Sequence, residues 1–152
     1  SDGRGTTCKS DDRRGRNSQE NGGVIMGYES KLIIVHKSDI TAHIKSTDRD
    51  MVWGEVIATY RLCKVYDIDF RKYPATDCFF YDEQDGDEDG RVIEDCYGDT
   101  LKELTVQEAI KEIAIANAKG EHYRRYAPIL AMLTAFNLEE WGNSLRVLHY
   151  GY

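Results

Sequence analysis

The chain changes its period at Thr105, and that change narrows the folds open to it more than any other feature. "TVQEAIKEIAIANAKG" (105–120) opens with Thr105 and Glu108 at the spacing of a capping box, in which a hydroxyl and a carboxylate satisfy each other's orphan amides. Val106, Ile110 and Ile113 follow at i, i+4 and i+7, and Gly120 stands where a left-handed residue ends a helix. The spacing predicts a helix. A second is predicted within "YRRYAPILAMLTAFNLEEW" (123–141), beginning near Pro128 because proline favours the first turn. Ile129, Leu130, Met132, Leu133 and Phe136 surround its axis, the mark of a deeply buried helix.

Ahead of Thr105 the pattern is that of strands. "SKLIIVHK" (30–37) is short, apolar and β-branched. "SDITAHIKSTDRD" (38–50) is polar and turn-rich, and is expected as a loop or short helix. "GEVIATYRLCKVY" (54–66) alternates, with Val56, Ala58, Tyr60 and Leu62 on one face and Ile57, Thr59, Arg61 and Cys63 on the other. "DIDFRKYPA" is irregular, since Pro74 cannot donate to a ladder. "TDCFFY" (76–81) and "RVIEDCY" (91–97) make a hairpin around an acidic loop, and "SLRVLHYGY" (144–152) reads as a closing strand. Strands, then helices, then one last strand give an α+β fold: an antiparallel β-sheet with two C-terminal helices packed on one face and a closing C-terminal strand. The expected domain covers residues 26–152.

Residues 1–25 contain no aromatic residue and no apolar periodicity, so their composition predicts a disordered tail or a translated leader. Gly22-Gly23 lies just ahead of Met26, and codons for that pair can contain a bacterial ribosome-binding sequence. Met26 is then the native start.

A net charge of −7 disfavours duplex nucleic acid and anionic membranes as partners. The longest apolar runs, "LIIV" and "ILAML", are too short to span a bilayer. Cys8, Cys63, Cys78 and Cys96 form no CxxC pair, which argues against a zinc ribbon or disulfide scaffold and for a reducing cytoplasm.

Three constellations carry possible chemistry. The first is "DEQDGDEDGRVIEDCYG" (82–98), with eight acids between Asp82 and Asp95 against one base, Arg91. Asp85, Asp87, Asp89 and Gly90 match the first half of an EF-hand calcium loop, with Val92 at the eighth position. Cys96 stands at the twelfth position, where a bidentate Glu belongs, and the flanks are strand-like. Asp82, Glu83, Asp85, Asp87, Glu88 and Asp89 therefore read as a solvated tip that faces a basic protein partner, with calcium as an alternative ligand and no metal residues assigned. The second is "EHYRRYAP" (121–128). Tyr123, Arg124, Arg125 and Tyr126 offer guanidinium forks and rings to a small anionic ligand such as a nucleotide. Arg61, Lys64, Arg71 and Arg146 are candidates to join them. The bland alternative is arginines paired with nearby acids. The third pairs a cysteine (Cys63, Cys78 or Cys96) with one of His36, His43, His122 and His149, but thiols among apolar neighbours are usually packed and inert. No GxSxG, P-loop, GxGxxG or HExxH occurs. No catalytic residue and no cofactor is assigned.

The opening "MGYESKLIIV", the stretch "TDCFFY…EDCYGD.LKE" and the closing "LHYGY" resemble small accessory proteins of the phages and prophages of Gram-positive bacteria. The resemblance covers most of residues 26–152 and carries no functional motif. It implies a compact, non-enzymatic protein of the bacterial host cytoplasm that counters host defence, by blocking a defence protein or by sequestering a nucleotide signal. A symmetric homodimer is compatible with a small sheet that has exposed edges.

Overall fold

The computed structural model describes residues 29–63, 68–84, 86–120, 123–139 and 144–152, with the side chains of Cys63 and Tyr123 left out. The expected tail or leader lies outside the described residues.

The fold starts with one long hairpin. Strands β1 (Ser30–Ile44) and β2 (Arg49–Cys63) run antiparallel around a turn in which Asp48 takes a positive φ of 55° and its N–H bonds Ile44 O at 2.8 Å. The segment 38–50 is thus strand and turn, not loop or helix. Two irregularities hide this from the sequence. Residues 38–40 bulge out of β1, with Ser38 Oγ donating to Trp53 O (2.9 Å) and accepting from Ile40 N (3.1 Å). A second bulge sits at Ile57, where the register slips from Ile34↔Ala58 to Val35↔Val56. Ala58, Tyr60 and Leu62 therefore share a face while Val56 pairs with Val35, a correction to the simple alternation.

Residues 68–77 carry the chain back along the sheet through a 3₁₀ turn, Phe70–Lys72. Strand β3 (Cys78–Tyr81) consequently runs parallel to β2, paired at Val52↔Cys78 and Trp53↔Phe79, so the sheet is mixed at this one pairing. The hairpin around the acidic loop is present: β3 pairs antiparallel with β4 (Arg91–Val92), with Phe80 opposite Val92. β4 stops well short of Tyr97 because residues 95–98 form a turn in which Asp95 accepts from Tyr97 N and Asp99 N. β5 (Lys102–Thr105) and β6 (Leu145–Gly151) complete the order β4-β3-β2-β1-β6-β5. The outer edge of β5 is met by Pro74–Thr76, through Thr76 N to Leu101 O and Glu103 N to Pro74 O, both 2.9 Å. One segment, residues 74–79, thus lies along the β5 margin and then enters β3 on the other side of β2.

Helices α1 (Val106–Ala118) and α2 (Tyr123–Asn137) cover one face. The Thr105–Glu108 capping box is formed in both directions, and Gly120 has φ 79°. α2 begins a full turn before Pro128, which lies inside the helix. The proline removes the N–H that would bond Arg124 O, and Tyr60 Oη donates to the next carbonyl, Arg125 O, at 3.1 Å. Leu32, Ile34, Leu62, Val147 and Leu145 meet Val106, Ala109, Ile113, Tyr126, Ile129 and Leu133 in the larger core. Ile33, Val35 and Leu148 face the other way, packed with Cys78, Phe80 and Val92 from the β3–β4 side and with Leu101, which precedes β5. A third cluster, Ile44, Met51 and Phe79, steadies the far end of the hairpin. The class is α+β, with the last strand central rather than marginal: β6 lies between β1 and β5.

Candidate functional site

The acidic hairpin tip is folded by its own carboxylates. Asp87 Oδ1 accepts from Asp89 N (2.8 Å) and Arg91 N (3.0 Å), while Asp87 N and O close on Arg91 O and Gly90 N. Asp82 Oδ1 accepts from Gln84 N, and Asp82 N bonds Gly90 O, both at 2.8 Å. Two glycines make the turn possible. Gly90 has φ 85°, and a Cβ on Gly86 would lie 2.4 Å from the backbone of Gly90. The Arg91 guanidinium pairs with Asp89. Glu83 and Glu88 are exposed and make no ion pair among the described residues. Asp85 lies outside the described residues. The tip therefore spends Asp82 and Asp87 on the backbone and leaves Glu83, Glu88 and Asp89 exposed. Among the described residues no group of three or more His, Cys, Asp or Glu side chains is placed to hold a metal ion. Cys96, at the twelfth loop position, is disulfide-bonded.

The second constellation is split by the helix. Arg124 and Arg125 are exposed on the first turn of α2, whereas Tyr126 is fully buried in the larger core. The Tyr123 side chain lies outside the description. Nor do the other candidate cations gather there. Arg61 reaches the Tyr152 hydroxyl, Arg71 pairs with Asp69 at 3.1 Å, and Arg146 lies 3.3 Å from Glu103. Lys64 is outside the described residues.

Sequence reasoning missed a polar network at one end of the sheet. Lys37, Thr76, Glu103 and Arg146 each sit two residues from an apolar residue that faces the smaller core: Val35, Cys78, Leu101 and Leu148. Period-two alternation thus sends all four side chains the same way. Glu103 accepts from Thr76 Oγ1 (2.5 Å) and pairs with Lys37 (3.5 Å) and Arg146; Lys37 also binds Asp77 at 2.7 Å. A cleft of about 370 Å³ opens beside Lys37, Asp77 and Glu103, which line it together with Pro74, Ala75, Leu104, Thr105 and Glu108. Burial pulls the Lys37 ammonium down, but its bond to Asp77 and the Glu103 charge outweigh this and hold its pKa above the usual value. The same bond keeps Asp77 below the usual carboxylate range. Lys37 is thus a fixed cation, unsuited to act as a base or nucleophile. Burial pushes the neighbouring Cys78 thiol up to about 12, so it carries no reactive thiolate.

A second missed feature is a buried pair: Ser30 Oγ lies 2.8 Å from His149 Nε2. Phe70 stacks on the imidazole at 4.9 Å and 22°. The residues are 1% and 3% exposed, so no substrate reaches the hydroxyl in this conformation. Toward the same end of β1 but on the opposite face, Lys31 lies over the rings of Tyr150 (4.6 Å) and Tyr152 (5.6 Å), and Arg61 lies over Tyr152 (5.0 Å). Alternation marked none of these groups, because each depends on strands that meet only in the fold.

No protein-family model matches the chain, and neither a curated protein nor a solved structure does. Among the described residues no helix is long and apolar enough to cross a membrane.

Proposed function

We propose that this chain is a non-enzymatic binding protein whose acidic hairpin tip docks on a basic surface of a protein partner. The observation that supports it is the division of labour in the tip. Asp82 and Asp87 fix the backbone, while Glu83, Glu88 and Asp89 are exposed. Backbone hydrogen bonds already made by a charged loop lower the entropic cost of binding, and its charge chiefly sets the association rate and partner choice. A phosphate-bearing ligand at Tyr123, Arg124, Arg125 and Tyr126 is less well supported, since burial of Tyr126 leaves two exposed arginines where a pocket was expected. The wider proposal, a phage accessory protein that counters host defence in the bacterial cytoplasm, rests on resemblance alone. In that compartment the bond at Cys96 would be reduced.

The test is co-purification from host lysate with the wild-type chain and with a charge-neutral tip, Glu83→Gln, Glu88→Gln and Asp89→Asn together. A specific partner is expected to be retained by the wild-type chain, lost with the neutral tip, and weakened steeply by salt. A captured protein indifferent to both changes overturns the proposal.

A further inference from the structure

The outer face of α2 departs from two rules that surface helices ordinarily keep. The first is that such a helix turns charged and polar side chains to solvent. In α2 the inward side is set by the buried Tyr126, Ile129 and Leu133. The opposite side runs through Arg124, Ala131 and Leu138, seven residues apart, and all three are exposed. Beyond Arg125 the exposed residues before Leu138 are Ala127, Pro128, Ala131, Thr134 and Ala135, with no charge among them. Leu138, at 80%, is the most exposed large apolar side chain among the described residues, and Ile115 on the neighbouring α1 is 53% exposed.

The second rule concerns the ends. Negative charge steadies a helix N-terminus and positive charge its C-terminus. α2 carries the reverse: Arg124 and Arg125 stand in its first turn, where there is no acid, and Glu139 stands just past its last turn, where there is no base. None of these three makes an ion pair among the described residues.

Each of these charges is unfavourable in one chain alone. Each becomes favourable beside an antiparallel copy, where the N-terminus of one helix meets the C-terminus of the other. We propose that the outer face of α2 packs antiparallel on the same face of a second copy of this chain, about a two-fold axis at Ala131. In that register Ala127 lies level with Ala135 of the partner subunit, and Arg124 with Leu138 of the partner subunit. The Arg124 stem covers that leucine, while its guanidinium reaches Glu139 of the partner subunit and the last carbonyls of that helix. Symmetry makes each contact twice. The small side chains at 127, 131 and 135 let the helix axes approach to about 8 Å. A parallel pair would set arginine beside arginine and glutamate beside glutamate, so charge selects the antiparallel one. Moving the axis one turn along α2 slides the helices by two turns, about 11 Å, and parts Arg124 from the opposing glutamate. One helical face is a small interface, so the dimer is expected to be weak.

The test is sedimentation of the full chain from about 1 μM to about 1 mM. A reversible monomer–dimer equilibrium is expected, with monomer alone on denaturing electrophoresis without reductant. Ala131→Glu sets two carboxylates together at the axis and should weaken the dimer at least about tenfold; the site is exposed and glutamate suits a helix, so the fold is kept. Arg124→Glu has two effects of opposite sign. It removes a cation from the head of α2, so the dilute monomer should melt no lower than wild type. It also sets acid against Glu139 of the partner subunit, so association should weaken. Adding Glu139→Arg in the same chain should restore association. A chain that stays monomeric throughout the series, a dimer held by a disulfide, or a dimer that either Ala131→Glu or Arg124→Glu leaves equally strong, overturns the proposal.

Discussion

Ser30 Oγ and His149 Nε2 lie 2.8 Å apart inside the protein, joined across adjacent strands from opposite ends of the described chain. Burial pushes the imidazole pKa down to about 4, helped by the positive charges of Arg71 and Lys102 and opposed by Asp69. The folded state therefore keeps His149 neutral where the unfolded chain, with its pKa near 6.5, takes up a proton. Stability tied to this group is complete above 6.5 and is lost as pH falls toward 4, about 2 kcal/mol of it by pH 5. Asp95 works the other way. Burial raises it to about 6, so its contribution is present below 3.8 and lost as pH rises through 6. The clean measurement is therefore a difference: urea unfolding at pH 7 and pH 5 for wild type and for the non-titrating His149→Asn. The wild type should lose about 2 kcal/mol more than the variant on acidification. Equal losses would show that His149 is not held neutral by the fold.

The capping box at the head of α1 gives a second prediction. Thr105 Oγ1 accepts from Glu108 N at 3.0 Å, and Glu108 Oε1 accepts from Thr105 N at 2.9 Å. Thr105→Ala removes one bond and loosens the other, and should destabilise the protein by about 1 kcal/mol; Thr105→Ser should cost a few tenths at most. Thermal or urea unfolding of the three chains checks the order.

That helix was legible in the sequence because every signal for it is local: cap, period and terminating glycine fall within sixteen residues. The β1–β2 hairpin was only half legible. The bulges at residues 38–40 and at Ile57 interrupt the alternation that strand recognition depends on, and a bulge becomes visible only once the partner strand is known. The start of α2 was misplaced for a related reason. Proline favours the first turn as a general rule, but core contacts of Tyr126 carry the helix back past Pro128. The acidic hairpin was read from the strand-like runs on either side of its loop, and these pair at Phe80↔Val92 and Tyr81↔Arg91. The Lys37–Glu103–Arg146 network was invisible, since its members come from three strands far apart in the chain.

Gly54 shows how tightly the two layers meet. A Cβ at this position would lie 2.4 Å from Cys78 Sγ and 3.1 Å from Val35 Cβ. Gly54→Ala must therefore displace the buried Cys78 thiol and press on the Val35 side chain, and should cost about 1–3 kcal/mol. Pairing it with Cys78→Ala, which vacates the space, should recover part of the loss. Urea unfolding of both variants tests whether the sulfur is the obstacle, and additive losses would show that it is not.

The acidic tip separates stability from recognition residue by residue. Asp87→Ala removes the acceptor for the N–H groups of Asp89 and Arg91, which should cost about 1 kcal/mol and speed amide exchange at both positions. Asp87→Asn keeps an oxygen in the same place and should largely preserve the turn. Glu88→Gln removes a charge that is exposed and makes no ion pair among the described residues, so the unfolding midpoint should stay within about 0.5 kcal/mol of wild type. If the tip is a docking surface, Glu88→Gln still weakens partner binding, while Asp87→Asn, which keeps the turn, weakens it less. If instead Glu88→Gln destabilises the hairpin as much as Asp87→Ala does, the tip's acids are structural throughout, and the division of labour on which the functional proposal depends does not exist.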